Sequence, residues 1–337
     1  MKTKINLFII TFLVGLNCWG QVSNNNLQST LEVNQVLQCK WNAYDGIPYS
    51  QVPSANLGST SFELLENSKI AFLCNSTSEI IVINTIDGKK TNKFPVIFAP
   101  RDFVYDDGLF YVLSEKQVIV YDKNGKEKNK FPFPDKYLGT ERITRFNNST
   151  YLLLPSGNCL KIEVNGNSIT PIEYSGWITL SGKYIKTQLK GENAYSITAV
   201  LIKGKINKKE FLSENKIAGV YVVGSTKNRI VLDVQTYISE NPIRVERKIV
   251  SIEITNTGLG NIIAEIKIPD VYYVLSNKEF SLLTNGILYN MITSPEGVYV
   301  YSLKEIKKTI KKNINGYPKS LIDKNYHFNN NLLKVED

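Results

Sequence analysis

The stretch YVLSEKQVIVYDKNGKEKNKF, residues 111 to 131, holds two short alternating apolar runs, each followed by a polar joint, and a third run that carries lysine and phenylalanine. Alternation at a period of two marks a half-buried strand, and Asp-Lys-Asn-Gly between two such runs marks a tight turn. Two or three strands of this length bury too little apolar surface to stand alone in water. Such a piece is stable only if it recurs along the chain and each copy packs on the next.

It does recur. IVINTIDGKK (81 to 90), VIVYDKNGKE (118 to 127), LKIEVNGNSI (160 to 169), AVLIKGKINK (199 to 208) and VSIEITNTGL (250 to 259) each read as an alternating strand ending in a turn with glycine: Gly88, Gly125, Gly166, Gly204 and Gly258. A sixth strand, GVYVYSLKE (297 to 305), lacks the glycine, and the one long interval contains the extension YISENPIRVERK. Apolar strands such as KIAFLC and GLFYVL precede the joints, and strands ending near proline, such as TNKFPV, follow several of them. A period of about 40 residues with up to four short strands is the signature of a β-propeller blade.

SFELLENSKIAFLCNSTSEIIVINTIDGK and GLFYVLSEKQVIVYDKNGK resemble blades of the NHL-type and related six-bladed propellers, whose units carry V-x-V-[FY]-D-x-x-G. The resemblance is good over residues 61 to 166, weaker to 305 and absent beyond; the Asn-His-Leu triplet that names the unit is missing throughout. It implies an all-β six-bladed ring and says little about function. The expected organisation is a leader over 1–20, a segment with a ring-closing strand over 21–60, blades over 61–305, and a basic helix with a final strand over 303–337. STLEVNQVLQCKWNAYDG (29 to 46) and YHFNNNLLKVE (326 to 336) each hold a further strand, which either completes the last blade or joins the other as a seventh blade.

The opening MKTKINLFIITFLVGLNCWGQ, two lysines ahead of a short apolar stretch, reads as a secretory signal peptide cleaved after Gly20. The alternative, a lipoprotein anchored at Cys18, has a poor lipobox in Gly15, Leu16 and Asn17. Export, with richness in Asn, Ile and Lys that resembles Bacteroidota, points to the periplasm or the outer-membrane periphery. The formal net charge is +9, but Lys304, Lys307, Lys308, Lys311, Lys312 and Lys319 crowd into one segment, which argues for a local basic patch and against a nucleic-acid partner. Three cysteines remain after cleavage; Cys39 and Cys74 either staple the ring closure in an oxidising compartment or stay as buried free thiols.

The catalytic inventory is thin. One histidine, His327, excludes a histidine-based metal site and leaves no supported Ser-His-Asp or Cys-His set; no phosphate loop, dinucleotide fingerprint or calcium loop is present, so no metal and no cofactor is expected. YDDGLF reads as an Asp-Gly hairpin. Arginine is scarce, and Arg101, Arg142 and Arg145 precede the first long strands of the second and third units, where a propeller chain enters beside its central channel. Guanidinium groups around that mouth would grip an anionic ligand or a partner's carboxylates; the alternative pairs each with a nearby acid. Trp41 and Trp177, near loops, are the aromatic candidates for a contact surface.

SLKEIKKTIKKNING places Leu303, Ile306, Ile310 and Ile314 on one helical face, which predicts an amphipathic helix over 303–314 that packs on the ring or lies against an anionic membrane surface. The functional expectation is an exported binding or assembly module with a protein partner, such as a soluble subunit of an outer-membrane complex. A histidine-independent lyase or glycoside hydrolase with its site at the channel mouth is the alternative.

Overall fold

The computed structural model describes residues 29–140, 142–165, 168–200, 204–307, 316–318 and 321. Six four-stranded antiparallel sheets follow one another along the chain. Blade 1 is β4 (Ser59–Leu65), β5 (Lys69–Cys74), β6 (Glu79–Asn84) and β7 (Lys90–Pro95); a small hairpin, β2 (Ser50–Val52) and β3 (Ala55–Leu57), precedes it. Blade 2 is β8 (Asp102–Asp106), β9 (Leu109–Leu113), β10 (Gln117–Asp122) and β11 (Glu127–Pro132). Blade 3 runs β12 (Arg142–Phe146) to β15 (Ser168–Ser175), and blade 4 runs β16 (Trp177–Ile178), β17 (Tyr184–Leu189), β18 (Ala194–Val200) and β19 (Ile206–Leu212). Blade 5 holds β20 (Ile217–Ser225), the long hairpin of β21 (Arg229–Glu240) and β22 (Ile243–Thr255), and β23 (Gly258–Ile268).

Blade 6 is built from both ends of the propeller. β24 (Phe280–Leu282), β25 (Leu288–Ser294) and β26 (Gly297–Lys307) supply three strands, and β1 (Ser29–Lys40) pairs antiparallel with β26 as the fourth. The chain is therefore a six-bladed propeller, and the first of the two extra strands completes the last blade instead of starting a seventh. Residues 326 to 336, with His327, lie outside the described residues.

Why the ring forms is visible in the opening stretch. The middle strands of a blade are covered on both faces, so β9 and β10 bury nearly every side chain, while β11, EKNKFP, is the outer edge and exposes its lysines. Charged edge strands discourage pairing with another chain. In the turn between β10 and β11 the Asp122 carboxylate accepts the N–H of Asn124 at 2.9 Å and of Lys126 at 3.0 Å, which holds it below the usual carboxylate range. Gly125 turns at a φ of 79°, and a Cβ there would collide with the ring of Phe94 in blade 1. The Asp-x-x-Gly joint thus makes both the turn and the contact with the preceding blade.

Each interface between neighbouring blades has its own apolar cluster. Blades 1 and 2 meet through Leu73, Ile80 and Phe94 against Phe103, Phe110 and Val112; the corresponding clusters continue around the ring to blades 6 and 1, where Cys39, Val298 and Val300 pack on Phe62, Phe72 and Cys74. No blade buries its two faces alone, as repeat architectures require.

The amphipathic helix expected over 303–314 does not form where its first turn should be. Leu303 to Lys307 continue β26 and pair with Ser29 to Val33 of β1; Leu303 is fully buried between Val33 and Leu288 while Lys304 is exposed. A strand seeking its fourth partner overrides helical spacing, which is only a weak prior. Residues 308–315, with Lys308, Lys311 and Lys312, lie outside the described residues, as does the expected leader over 1–20.

Candidate functional site at the channel mouth

The first strands of the six blades surround a central channel with a cavity of about 200 Å³, lined by Glu63, Tyr105, Arg142, Thr179, Ser225 and Lys278 among others. A wider cavity of about 430 Å³ adjoins it at the starts of β12, β16 and β24, where Arg142, Trp177, Phe280, Tyr221, Arg247 and Glu279 form much of the wall.

A buried polar layer fixes the inner strands. Asp102, fully buried at the start of β8, accepts the Ser61 hydroxyl from blade 1, its own-blade Phe103 N–H at 2.8 Å and the Ile143 N–H of blade 3 at 2.9 Å. Lys278, in the loop before β24, donates to Glu63 and to the Phe103 carbonyl at 2.9 Å, with Asp102 3.9 Å away. Ser281 donates to the other Glu63 oxygen at 3.3 Å. Burial pushes the Glu63 carboxyl above its usual range although Lys278 pulls the other way.

Arg142 stands apart from this layer. Its Nε is 4.0 Å from Asp102 Oδ2, beyond hydrogen-bond reach, because Asp102 is already served by neutral donors; no described residue accepts a hydrogen bond from the guanidinium. The guanidinium lies 5.6 Å from the Trp177 ring centre, and Trp177 is anchored by its Nε1–H to the Leu154 carbonyl at 3.1 Å. Two residues singled out in the sequence therefore meet at the wall of both cavities. The result is a partly buried cation beside an aromatic face at the cavity wall, with a buried Nε that no described residue partners.

The other candidates are placed elsewhere. Arg101 donates to the Thr140 carbonyl at 3.1 Å, and its own carbonyl accepts Asn277 Nδ2 at 2.6 Å. Arg145 is held by Asp106 at 2.6 Å and Thr150 at 3.0 Å over the Tyr111 ring. Neither lines the two cavities. Trp41 donates to the Ser294 carbonyl at 2.8 Å and packs on Tyr49, inside the closing seam. Cys39 and Cys74 lie in one core cluster with free thiols; burial pushes the Cys39 thiol up to about 12 and raises Cys74 as well, to which Cys39 adds. Lys304 is exposed beside a shallow hollow with Arg229 and Gly286, and Lys307 ends β26.

An ionic group that sequence reasoning missed completes the mouth. Arg247 of β22 bridges Asp233 of β21 at 2.6 Å and Glu279 at 3.0 Å, under the rings of Tyr272 and Phe280. Gln235 donates to the same Asp233 oxygen at 3.1 Å. Burial raises the Glu279 carboxyl, while the two carboxylates hold Arg247 charged. The only signal was the blade 5 extension that contains Arg247. Asp233 and Glu279 reach it from separate segments, which no local motif announces. Among the described residues, no group of three or more His, Cys, Asp or Glu side chains is arranged to hold a metal ion.

The molecule is thus a six-bladed propeller with a polar, aromatic-walled channel mouth. No family model matches the sequence, and a comparison with curated proteins yields no match. Among solved structures it is similar to hydrazine synthase of Kuenenia stuttgartiensis, with a TM-score of 0.46 and 14% identity over 77% of this chain and 78% of that one. It is similar also to virginiamycin B lyase of Staphylococcus aureus, at 0.40 and 12% over 82% and 100%. The WD40 domain of Neurospora crassa Pan2 matches at 0.45 and 11% over 86% and 99%. The propeller itself rests on the six sheets and their interfaces.

Proposed function

We propose that the protein is an exported propeller of NHL-type lineage that works as a binding or assembly module at the periplasmic side of the outer membrane, gripping an anionic group of a protein partner at its channel mouth. One observation carries this reading: Arg142, beside Trp177 at a cavity of about 430 Å³, presents guanidinium donors that no described residue accepts. A carboxylate entering there meets a charge-assisted, geometrically selective donor pair in a partly desolvated site. Closed rings with rigid inner strands suit such a surface, because loops on a rigid scaffold are where binding residues concentrate.

The test is affinity capture from detergent-solubilised envelopes with the wild-type protein and Arg142→Gln. A partner retained stoichiometrically by the wild type and lost by the variant, at unchanged melting temperature, supports the reading. Recovery of the wild-type protein alone counts against it.

A second reading, a glycoside hydrolase independent of histidine, is favoured by two buried glutamates with raised carboxyls, Glu63 on the channel and Glu279 on the mouth. Hydrolysis of a glycan panel that disappears in both Glu63→Gln and Glu279→Gln would support it, and hydrolysis by neither wild type nor variants would reject it.

A further inference from the structure

Where the inner strands of blades 4 and 5 end, hydroxyls and one amine cluster beside the channel. Thr179 directly follows β16 and Ser225 is the last residue of β20; both line the channel cavity. Thr179 Oγ1 and Ser225 Oγ are 2.6 Å apart, and Ser181 Oγ is hydrogen-bonded to Ser225 and 3.2 Å from Thr179. Lys183 Nζ donates to Ser181 Oγ at 3.1 Å and to the Thr226 carbonyl of blade 5 at 2.8 Å. Lys183 is 3% exposed, whereas Ser181 is half-buried next to Leu180, which is 43% exposed and lines the same cavity.

A bolt between two blades would need these hydroxyls but not this amine. Lys278, a deeply buried lysine that lines the channel, has Glu63 and Asp102 as counter-ions. Lys183 has no carboxylate within ion-pair reach among the described residues, and its hydrogen bonds go to a hydroxyl and a carbonyl. A buried ammonium without a counter-ion is costly, and the remedy open to it is to give up its proton. Burial does lower its pKa, with no neighbouring charge of either sign contributing. A neutral amine within hydrogen-bond distance of a reachable serine hydroxyl is the arrangement that activates oxygen nucleophiles without histidine.

We propose that Ser181 is an activated nucleophile, with Lys183 as its general base, that accepts the acyl group of a small ester. Ser181 Oγ bonds to the ester carbonyl carbon as its proton passes to Lys183 Nζ. The tetrahedral adduct collapses, the carbon–oxygen bond to the alcohol breaks, and Lys183 returns the proton to the leaving oxygen. Water then adds to the acyl-serine by the same route, releasing the carboxylic acid and restoring the Ser181 hydroxyl. Ser225 Oγ, within hydrogen-bond distance of Ser181, is the hydroxyl placed to donate to the oxyanion. The cavity of about 200 Å³ lined by Thr179, Leu180 and Ser225, the neighbours of Ser181, is the space open to the acyl group. Arg142 also lines this cavity, but the two readings rest on different residues, so Arg142→Gln tests one and Ser181→Ala the other.

The test uses the full folded chain, a fluorophosphonate probe and p-nitrophenyl acetate. The expected result is a single probe adduct mapped by mass spectrometry to Ser181, absent in Ser181→Ala, and at least tenfold slower in Lys183→Met, with ester turnover falling in parallel. In the wild type, the labelling rate should climb with pH to a plateau reached below the ordinary lysine range. That profile decides the matter if Lys183→Met fails to fold. No adduct at Ser181, adducts scattered over surface hydroxyls, equal labelling in Lys183→Met, or a rate that does not vary with pH would each overturn the proposal.

Discussion

Gly297 approaches the carbonyl oxygen of Cys39 across the closing strand pair so closely that any side chain at position 297 would overlap it, and its φ of 149° is one that only glycine adopts freely. The closure of the ring is therefore written into a missing methyl group. Gly297→Ala should lower stability by roughly 2 to 4 kcal/mol, the range for a clash combined with backbone strain. Differential scanning calorimetry would show a drop of several degrees in Tm; an unchanged Tm would mean that β1 and β26 do not close the blade.

The continuation of β26 through residue 307 makes a sharper prediction. Leu303 is fully buried and Ile306 half-buried. Leu303→Asp should therefore abolish or severely reduce folding, Ile306→Asp should be milder, and Lys304→Gln should be close to neutral, since solvated charges contribute little. A helix with Leu303 and Ile306 on one face would make the two aspartate variants equally harmful. Urea unfolding midpoints of the three variants distinguish the cases.

Asp102 joins three blades through hydrogen bonds to both of its oxygens. In Asp102→Asn one of those oxygens becomes an amide nitrogen facing donors, and Lys278 and Arg142 lose a nearby negative charge. The expected cost is roughly 2 to 4 kcal/mol, from unsatisfied buried donors and an uncompensated cation. Equal urea midpoints for wild type and Asp102→Asn would show that the buried layer contributes nothing to holding the inner strands.

The buried thiols set an alkaline limit. In the unfolded chain Cys39 ionises near 9.0, whereas in the fold it retains its proton up to about 12. A raised folded value means that this stabilising contribution is complete below pH 9 and is lost as pH climbs towards 12. Stability should fall through that window, and Cys39→Ala should flatten the fall while lowering the neutral-pH baseline. Ellman's reagent should find no reactive thiol in the native protein and three in denatured, unreduced protein cleaved after Gly20, namely Cys39, Cys74 and Cys159. A count of one would show the Cys39–Cys74 bridge instead.

The propeller was legible because its decisive information is local. VIVYDKNGK carries a strand, its capped turn and the glycine that seats Phe94 within nine residues, and the repetition of such pieces leaves little architectural choice. The helix misled for the opposite reason. Leu303 and Ile306 have the spacing of a helix face, and the strand that overrides it, β1, lies at the far end of the sequence. The same holds for the mouth. Arg142 stood out as a scarce residue type ahead of a strand and Trp177 as an aromatic near a loop, but nothing in the sequence distinguished Arg142 from Arg101 and Arg145; that depends on which carboxylates are already satisfied. Arg247, Asp233 and Glu279 come together only after three segments fold, and Ser181 meets Lys183 only when the turn between β16 and β17 is made.

Because β1 precedes every blade in the chain and pairs with the last strand of the sixth, it has no partner until all the others are in place. The contact of largest sequence separation is thus also the one that seals the ring, and topologies dominated by such pairings fold slowly. Until it forms, β26 offers an open hydrogen-bonding edge flanked by Val298, Val300 and Leu303, the kind of edge that recruits strands from other molecules. A cell that makes this chain has to keep two distant strands apart from strangers until they find each other, and a chaperone holding either one would control how much closed propeller accumulates.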